Sequence, residues 1–122
     1  MATVLRIVGG EARGRRLHVP RDARVRPTSD RVKEALFNIL GGRVAGSRVL
    51  DLFAGSGNLG LEALSRGAAH VTFVDRDRRC RQAIARNLAD LGYGDRALVL
   101  PGDALAVLGD LAARGERFDL IF

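Results

Sequence analysis

The sequence predicts an α/β fold, in which an open and mostly parallel sheet alternates with helices and is preceded by a β-hairpin. Three features predict it. From residue 48 onward, short apolar and β-branched runs at 48–53, 71–74, 96–100 and 118–122 alternate with segments whose apolar residues recur at helical spacing. The first two of these strands are joined through the tightest glycine-rich turn in the chain, Gly55-Ser56-Gly57-Asn58-Leu59-Gly60. Before residue 48, two alternating runs at 4–8 and 16–19 flank a connection rich in glycine and arginine, the pattern of a hairpin or of loosely paired strands.

The elements follow in order. The hairpin connection is Gly9-Gly10-Glu11-Ala12-Arg13-Gly14-Arg15, and His18 on the second strand has no partner in sequence, so it reads as a surface strand residue. Residues 20–27 form an irregular linker. Thr28, Ser29 and Asp30 are three candidate N-caps for a helix with Val32, Ala35, Leu36, Ile39 and Leu40 on one stripe, stopped by Gly41-Gly42. The run at 48–53 reads as a strand buried on both faces. Leu59, Ala63 and Leu64 mark the next helix, ended by Gly67. The second parallel strand ends in Asp75, 20 positions after Gly55. Cys80, Ala83, Ile84, Leu88 and Leu91 form the stripe of a third helix that closes at Gly92. After the third strand, Asp103 suits the N-cap of a helix carrying Leu105, Leu108 and Leu111. Right-handed crossovers place the fourth strand beside the first, leaving its other edge open and prone to self-association.

Length and composition limit the possibilities. At 122 residues the chain is one domain, small for a doubly wound sheet, and divides into a basic extension at 1–47 and an α/β core at 48–122 that form one compact unit. Its 47% apolar and 28% charged residues are those of a globular protein. No apolar run is long enough to span a bilayer and no secretory stretch opens the sequence, so a cytoplasmic, non-membrane protein is expected. The single Cys80 cannot form an intramolecular disulfide or by itself a thiolate metal site; it is expected in the core, and no metal is expected.

The net charge of +6 is uneven. Residues 1–47 hold ten basic side chains (Arg6, Arg13, Arg15, Arg16, Arg21, Arg24, Arg26, Arg31, Lys33 and Arg43) against four acidic ones, and residues 48–122 balance. Such a segment beside a neutral core suggests a polyanionic partner, most simply a nucleic-acid backbone. Arginine on a flexible loop follows phosphates bidentately, and Arg13, Arg15, Arg16 and Arg26 are the candidate RNA contacts. The competing explanation is compositional, since 19 of the 20 basic residues are arginine.

Strand, glycine turn, helix, strand and terminal acid make a nucleoside-binding unit, with Asp75 placed to accept hydrogen bonds from ribose hydroxyls. A P-loop is excluded because no Gly-Lys-Ser/Thr follows the glycines. A nicotinamide or flavin dinucleotide and S-adenosylmethionine both suit the turn. Asp51, four residues before Gly55, favours S-adenosylmethionine: its carboxylate suits an α-ammonium and a sulfonium, whereas a pyrophosphate wants the helix N-terminus free of negative charge. Gly55 and Gly57 would then lie under the methionine end and Asp103 near the adenine amino group. The corner Arg26-Pro27-Thr28-Ser29-Asp30-Arg31 is either a flap over the ligand or simply a capped helix start.

These motifs are also recognisable. Arg26-Pro27-Thr28-Ser29-Asp30-Arg31-Val32-Lys33-Glu34, with Asp51-Leu52-Phe53-Ala54-Gly55-Ser56-Gly57-Asn58-Leu59-Gly60-Leu61-Glu62-Ala63-Leu64-Ser65-Arg66-Gly67-Ala68, strongly resembles the bacterial family that methylates the exocyclic N2 of one guanine in 16S ribosomal RNA. The likeness runs from Arg6 to the last residue. It implies a Rossmann-like class I methyltransferase fold, S-adenosylmethionine as methyl donor, ribosomal RNA or the small-subunit particle as partner, and a hairpin that helps hold RNA. The candidate cofactor residues are Arg26 and Thr28 in the corner; Asp51, Phe53, Ala54, Gly55, Ser56, Gly57 and Asn58 around the turn; and Asp75, Arg76, Asp103 and Ala104 beyond it. Asn58 stands where relatives often carry alanine. The family's Asp/Asn-Pro-Pro-Tyr/Phe segment, which receives the guanine, is absent from the 122 residues, so the chain is expected to be an N-terminal portion, inactive alone, with no catalytic residue to name. The rival class is a non-catalytic module that binds S-adenosylmethionine or RNA, and a dinucleotide oxidoreductase is more distant.

Overall fold

The computed structural model describes residues 5–20 and 28–122. Arg26, Pro27 and the rest of the 21–27 linker lie outside the described residues. The elements are β1 (Leu5–Arg6), β2 (Arg16–Leu17), α1 (Asp30–Leu40), β3 (Arg48–Asp51), α2 (Asn58–Ser65), β4 (His70–Val74), α3 (Arg78–Leu91), β5 (Ala97–Leu100), α4 (Ala104–Ala113) and β6 (Leu120–Ile121). β1 and β2 pair antiparallel with Leu5 opposite Leu17. The other four strands form one parallel sheet in the order β5-β4-β3-β6, with the fourth strand beside the first as crossover handedness requires.

Strand periodicity divides the core between the two faces of this sheet. Val49 packs with Val71, Phe73, Leu61, Leu64 and Ile84, so α2 and α3 cover one face. Its neighbour Leu50 packs with Val74 and Leu111, so α4 covers the other. β3 is therefore buried on both sides, and truncating Leu50 to alanine costs about 2–5 kcal/mol. It stops at Asp51, two residues before the predicted end: Leu52 N–H still donates to Phe122 O at 3.2 Å, whereas Phe53 is 80% exposed.

Seven of the eight α2 residues are buried. The sheet covers one side and the N-terminal arm the other: Val8 N–H and Gly9 N–H donate to the two Glu62 oxygens at 3.0 and 2.9 Å, and Ala12 N–H donates to Ser65 Oγ at 3.0 Å.

Helix α1 differs from expectation in its orientation. Ser29 is its cap, with Oγ accepting from Val32 N–H at 3.2 Å. The buried residues are Lys33 and Phe37, while Val32 and Ile39 of the expected stripe are 56% and 79% exposed. Phe37 meets Phe122 edge to face at 5.9 Å and lies beneath the Arg66 guanidinium, and Lys33 reaches acceptors inside; together these turn the helix. In α4, Leu105 is likewise exposed while Ala104 and Leu111 are buried. α3 ends as expected, with Gly92 left-handed at φ 75°.

Candidate cofactor site

The chain turns from β3 into α2 through residues 52–57, and one glycine there and one in the first turn of α2 are required by geometry. Gly57, at φ 84°, caps α2 in a left-handed conformation that side-chain-bearing residues rarely adopt. A Cβ on Gly60 would lie 2.3 Å from Phe73 Cε1, so this glycine lets α2 settle against β4. Ala54 N–H donates to Val74 O at 3.1 Å and Gly57 N–H to Ala54 O at 2.7 Å, which fixes the turn above the sheet edge.

Three carboxylates ring this turn at the carboxyl ends of three adjacent strands. Asp75, after β4, accepts from Gly55 N–H through Oδ2 and from Asp77 N–H through Oδ1, both at 2.8 Å. Asp103, after β5, caps α4 by accepting from Ala106 N–H at 3.2 Å. Asp51, the last residue of β3, is 3% exposed. Burial pushes its carboxyl up from 3.8 to about 7, against the opposing pull of main-chain N–H bonds from Gly60 and Phe53, and the charge on Asp75 adds to the rise.

A cleft of about 250 Å³ lies beside the turn and is lined by Leu52, Phe53, Asp75, Arg76, Gly102, Asp103 and Ala104. It brings together five of the expected cofactor residues. Leu52 and Gly102 also line it and were not singled out by the sequence; each is adjacent to a residue that was. Asp51, Ala54, Gly55, Ser56 and Gly57 are buried and are not among the residues that line it. The Ser56 carbonyl accepts from Asn87 Nδ2 at 3.3 Å.

Asn58 has a structural employment. Its Nδ2 donates to Thr28 O at 2.9 Å and its Oδ1 accepts from Lys33 Nζ at 2.8 Å, which brings the Thr28 end of the corner to the glycine turn. Lys33 is fully buried; its ammonium also donates to Arg6 O at 2.6 Å and pairs with Glu62 Oε1 at 3.2 Å. Glu62, fully buried as well, accepts from Arg66 Nε at 2.8 Å. This buried ionic junction locks arm, α1 and α2 together, and no sequence signal marked it beyond the presence of a lysine and a glutamate within the family-like motifs.

The arm's arginines stand apart from the cleft. Arg13, Arg15 and Arg16 are exposed, and Arg15 Nη2 donates to Asp90 O at 3.0 Å. His18 has a partner after all: its Nε2 lies 2.7 Å from Asp90 Oδ2, and its main chain exchanges two hydrogen bonds with the Asn87 side chain. Cys80 is a buried core residue whose thiol is pushed up to about 11 by burial, so it is no nucleophile at neutral pH. Among the described residues no His/Cys/Asp/Glu group could hold a metal, and no helix is long and apolar enough to cross a membrane.

Comparison with known proteins places this geometry. The ribosomal RNA small subunit methyltransferase D of Escherichia coli K12 is 46% identical over 118 residues, covering 97% of this chain and 58% of the relative. The protein of the same name from Haemophilus influenzae is 49% identical over 119 residues, covering 97% and 61%. The chain thus spans about three fifths of the length of these curated relatives. A hypothetical protein of Thermus thermophilus superposes with a TM-score of 0.85 at 40% identity, over 98% of this chain and 67% of that one. A Streptococcus mutans protein described as an S-adenosylmethionine-dependent methyltransferase, at TM-score 0.64 and 23% identity over 75% of this chain and 24% of that one, shares the fold alone. The fold is that of the class I S-adenosylmethionine-dependent methyltransferases, with an N-terminal antiparallel hairpin. A family model described as conserved hypothetical protein 95 matches residues 5–122, and the chain belongs to that family, the family of the small-subunit ribosomal RNA methyltransferase D proteins.

Proposed function

We propose that the protein carrying this chain transfers a methyl group from S-adenosylmethionine to the exocyclic N2 of a guanine in 16S ribosomal RNA, in the cytoplasm. The observation that carries the reading is the set of Asp51, Asp75 and Asp103 at the ends of β3, β4 and β5, of which Asp75 and Asp103 line a cleft beside the glycine turn. The residues fit this cofactor. Asp51 is a buried carboxyl that a cationic amine would convert to a stable carboxylate, and Asp75 has lone pairs beyond those used by Gly55 and Asp77 for ribose hydroxyls. Asp103 faces the same cleft and has a second oxygen for an amino group. The donor supplies an electrophilic methyl on sulfonium sulfur. The chain's own residues bind and orient it, and Arg13, Arg15 and Arg16 offer guanidinium groups to RNA phosphates.

None of the 122 residues supplies the Asp/Asn-Pro-Pro-aromatic segment, and the 122-residue chain alone is proposed to transfer no methyl group. The test is tritiated methyl transfer from S-adenosylmethionine to 16S ribosomal RNA or small subunits, followed by nucleoside analysis. The longer protein should place label in N2-methylguanosine and the 122-residue chain should give none. Label in another nucleoside, or in product made by the isolated chain, would overturn the corresponding part. A non-catalytic module is favoured instead if the longer protein binds S-adenosylhomocysteine and RNA but labels neither substrate.

A further inference from the structure

The balance of charge over residues 48–122 conceals a local excess. Residues 76–86 contain five arginines, Arg76, Arg78, Arg79, Arg81 and Arg86, against the single acid Asp77. Three of them occupy the first turn of α3, where the helix macrodipole is positive, while the last turn holds Asp90 and no basic residue. The helix is charged in the reverse of the sense that its own dipole favours. Two of the arginines have local duties: Arg81 Nη1 donates to Asp75 O and Arg76 O at 3.0 and 2.9 Å, and Arg79 pairs with Asp77 at 3.4 Å. Arg76, Arg78 and Arg86 are exposed and engage no carboxylate among the described residues. Cations at the start of a helix gain nothing from its dipole.

Their position links the two sites already described. Arg76 lines the cleft at one end of α3. Asp90, at the other end, is where Arg15 and His18 of the arm dock, and Arg86 stands one helical turn before it on the same side of the helix. We propose that Arg78 and Arg86, with Arg76 at the cleft, extend the arm into one continuous track for an RNA backbone that follows α3 from hairpin to cofactor cleft. The proposal rests on the RNA reading above and adds to it the path that the strand takes. An acidic helix-bearing protein would meet the same charges, but it gives no reason for the track to end at a nucleoside-binding cleft.

The experiment is filter binding of 16S ribosomal RNA to the chain across a salt series, using an Arg78→Gln/Arg86→Gln double variant. The slope of log affinity against log salt should become shallower by about one to two, and affinity at low salt should fall roughly tenfold, as expected when one or two phosphate contacts are lost. The melting temperature should change little, because Arg78 leaves an unfavourable position in the first turn and Arg86 is exposed, and affinity for S-adenosylhomocysteine should not change. An Arg78→Lys/Arg86→Lys variant should keep most of the slope. An unchanged slope in the glutamine variant overturns the proposal, as does a lysine variant that loses as much as the glutamine one. An Arg13→Gln/Arg16→Gln variant separates the two readings. If it alone flattens the slope, only the α3 track fails; if neither variant does, the RNA reading fails as well.

Discussion

Replacing Asp51 with asparagine should make the protein more stable at alkaline pH while impairing the site. The Asp51 carboxyl sits at about 7 in the fold against an ordinary 3.8, chiefly because burial disfavours its charge. A raised carboxyl contributes stability that is complete below the unfolded value and is lost as pH rises to the folded one, since over that window the unfolded chain has released a proton that the native state retains. The shift of about three units at about 1.36 kcal/mol each makes a loss of roughly 4 kcal/mol by pH 8, of which about 2 kcal/mol falls between pH 5 and 7. Asparagine does not titrate. Urea unfolding of wild type and Asp51→Asn across pH 5 to 8 should therefore show a stability difference that tilts by about 2–3 kcal/mol in favour of the variant as pH rises, levelling above pH 7. Binding of a cofactor amine needs the charged carboxylate, so wild-type affinity should weaken as pH falls below about 7, by up to tenfold per unit, and the variant should bind weakly at every pH. A stability difference that is constant over the whole range would refute the reasoning, because the cost would then not be that of a buried charge.

Other substitutions probe neighbouring links. Asp75→Ala should weaken S-adenosylhomocysteine binding by about 1–3 kcal/mol in calorimetry, and should also lower the melting temperature, since Gly55 N–H and Asp77 N–H lose their acceptor; unchanged affinity removes Asp75 from the ribose. Lys33→Met leaves Arg6 O and Asn58 Oδ1 without their donor and Glu62 with Arg66 as its one cation, and should cost about 1–3 kcal/mol in urea unfolding; a smaller loss would mean that the junction does not hold the arm. β6 pairs with β3 on one side, and Ile121 is 55% exposed, so the chain should self-associate in sedimentation runs and Ile121→Lys should reduce this; monomers at high concentration would contradict it.

The sequence made the glycine turn and the acids around the candidate site legible because the physics there is local. A turn that needs Gly57, a helix that needs Gly60 and an acid placed by strand length at Asp75 are all consequences of a few adjacent residues, as are the caps of α1 and α4. Strand order followed from handedness. What could not be read depended on contacts between distant segments. Apolar spacing favoured the stripe from Val32 to Ile39, but α1 instead turns Lys33 inward because Arg6 O, Asn58 and Glu62 converge there from three other segments. A charged pair with no exposure runs against every surface expectation for lysine and glutamate. The partner of His18 lies 72 residues away on α3. The arginine excess on α3 was hidden by counting charge over half the chain, and only the helix showed which of those charges share an end.

Where the nucleoside lands decides the matter most directly. Nitrogen–proton correlation spectra of the labelled chain should be titrated with S-adenosylhomocysteine and, in parallel, with NADH. A cleft built for S-adenosylmethionine predicts saturable shifts with the first ligand at Phe53, Gly55, Gly57, Asp75, Gly102 and Asp103, little change on the outer face of α1, and no saturable response to NADH. Shifts confined to other surfaces, or a saturable response to NADH alone, would contradict the assignment of this edge of the sheet.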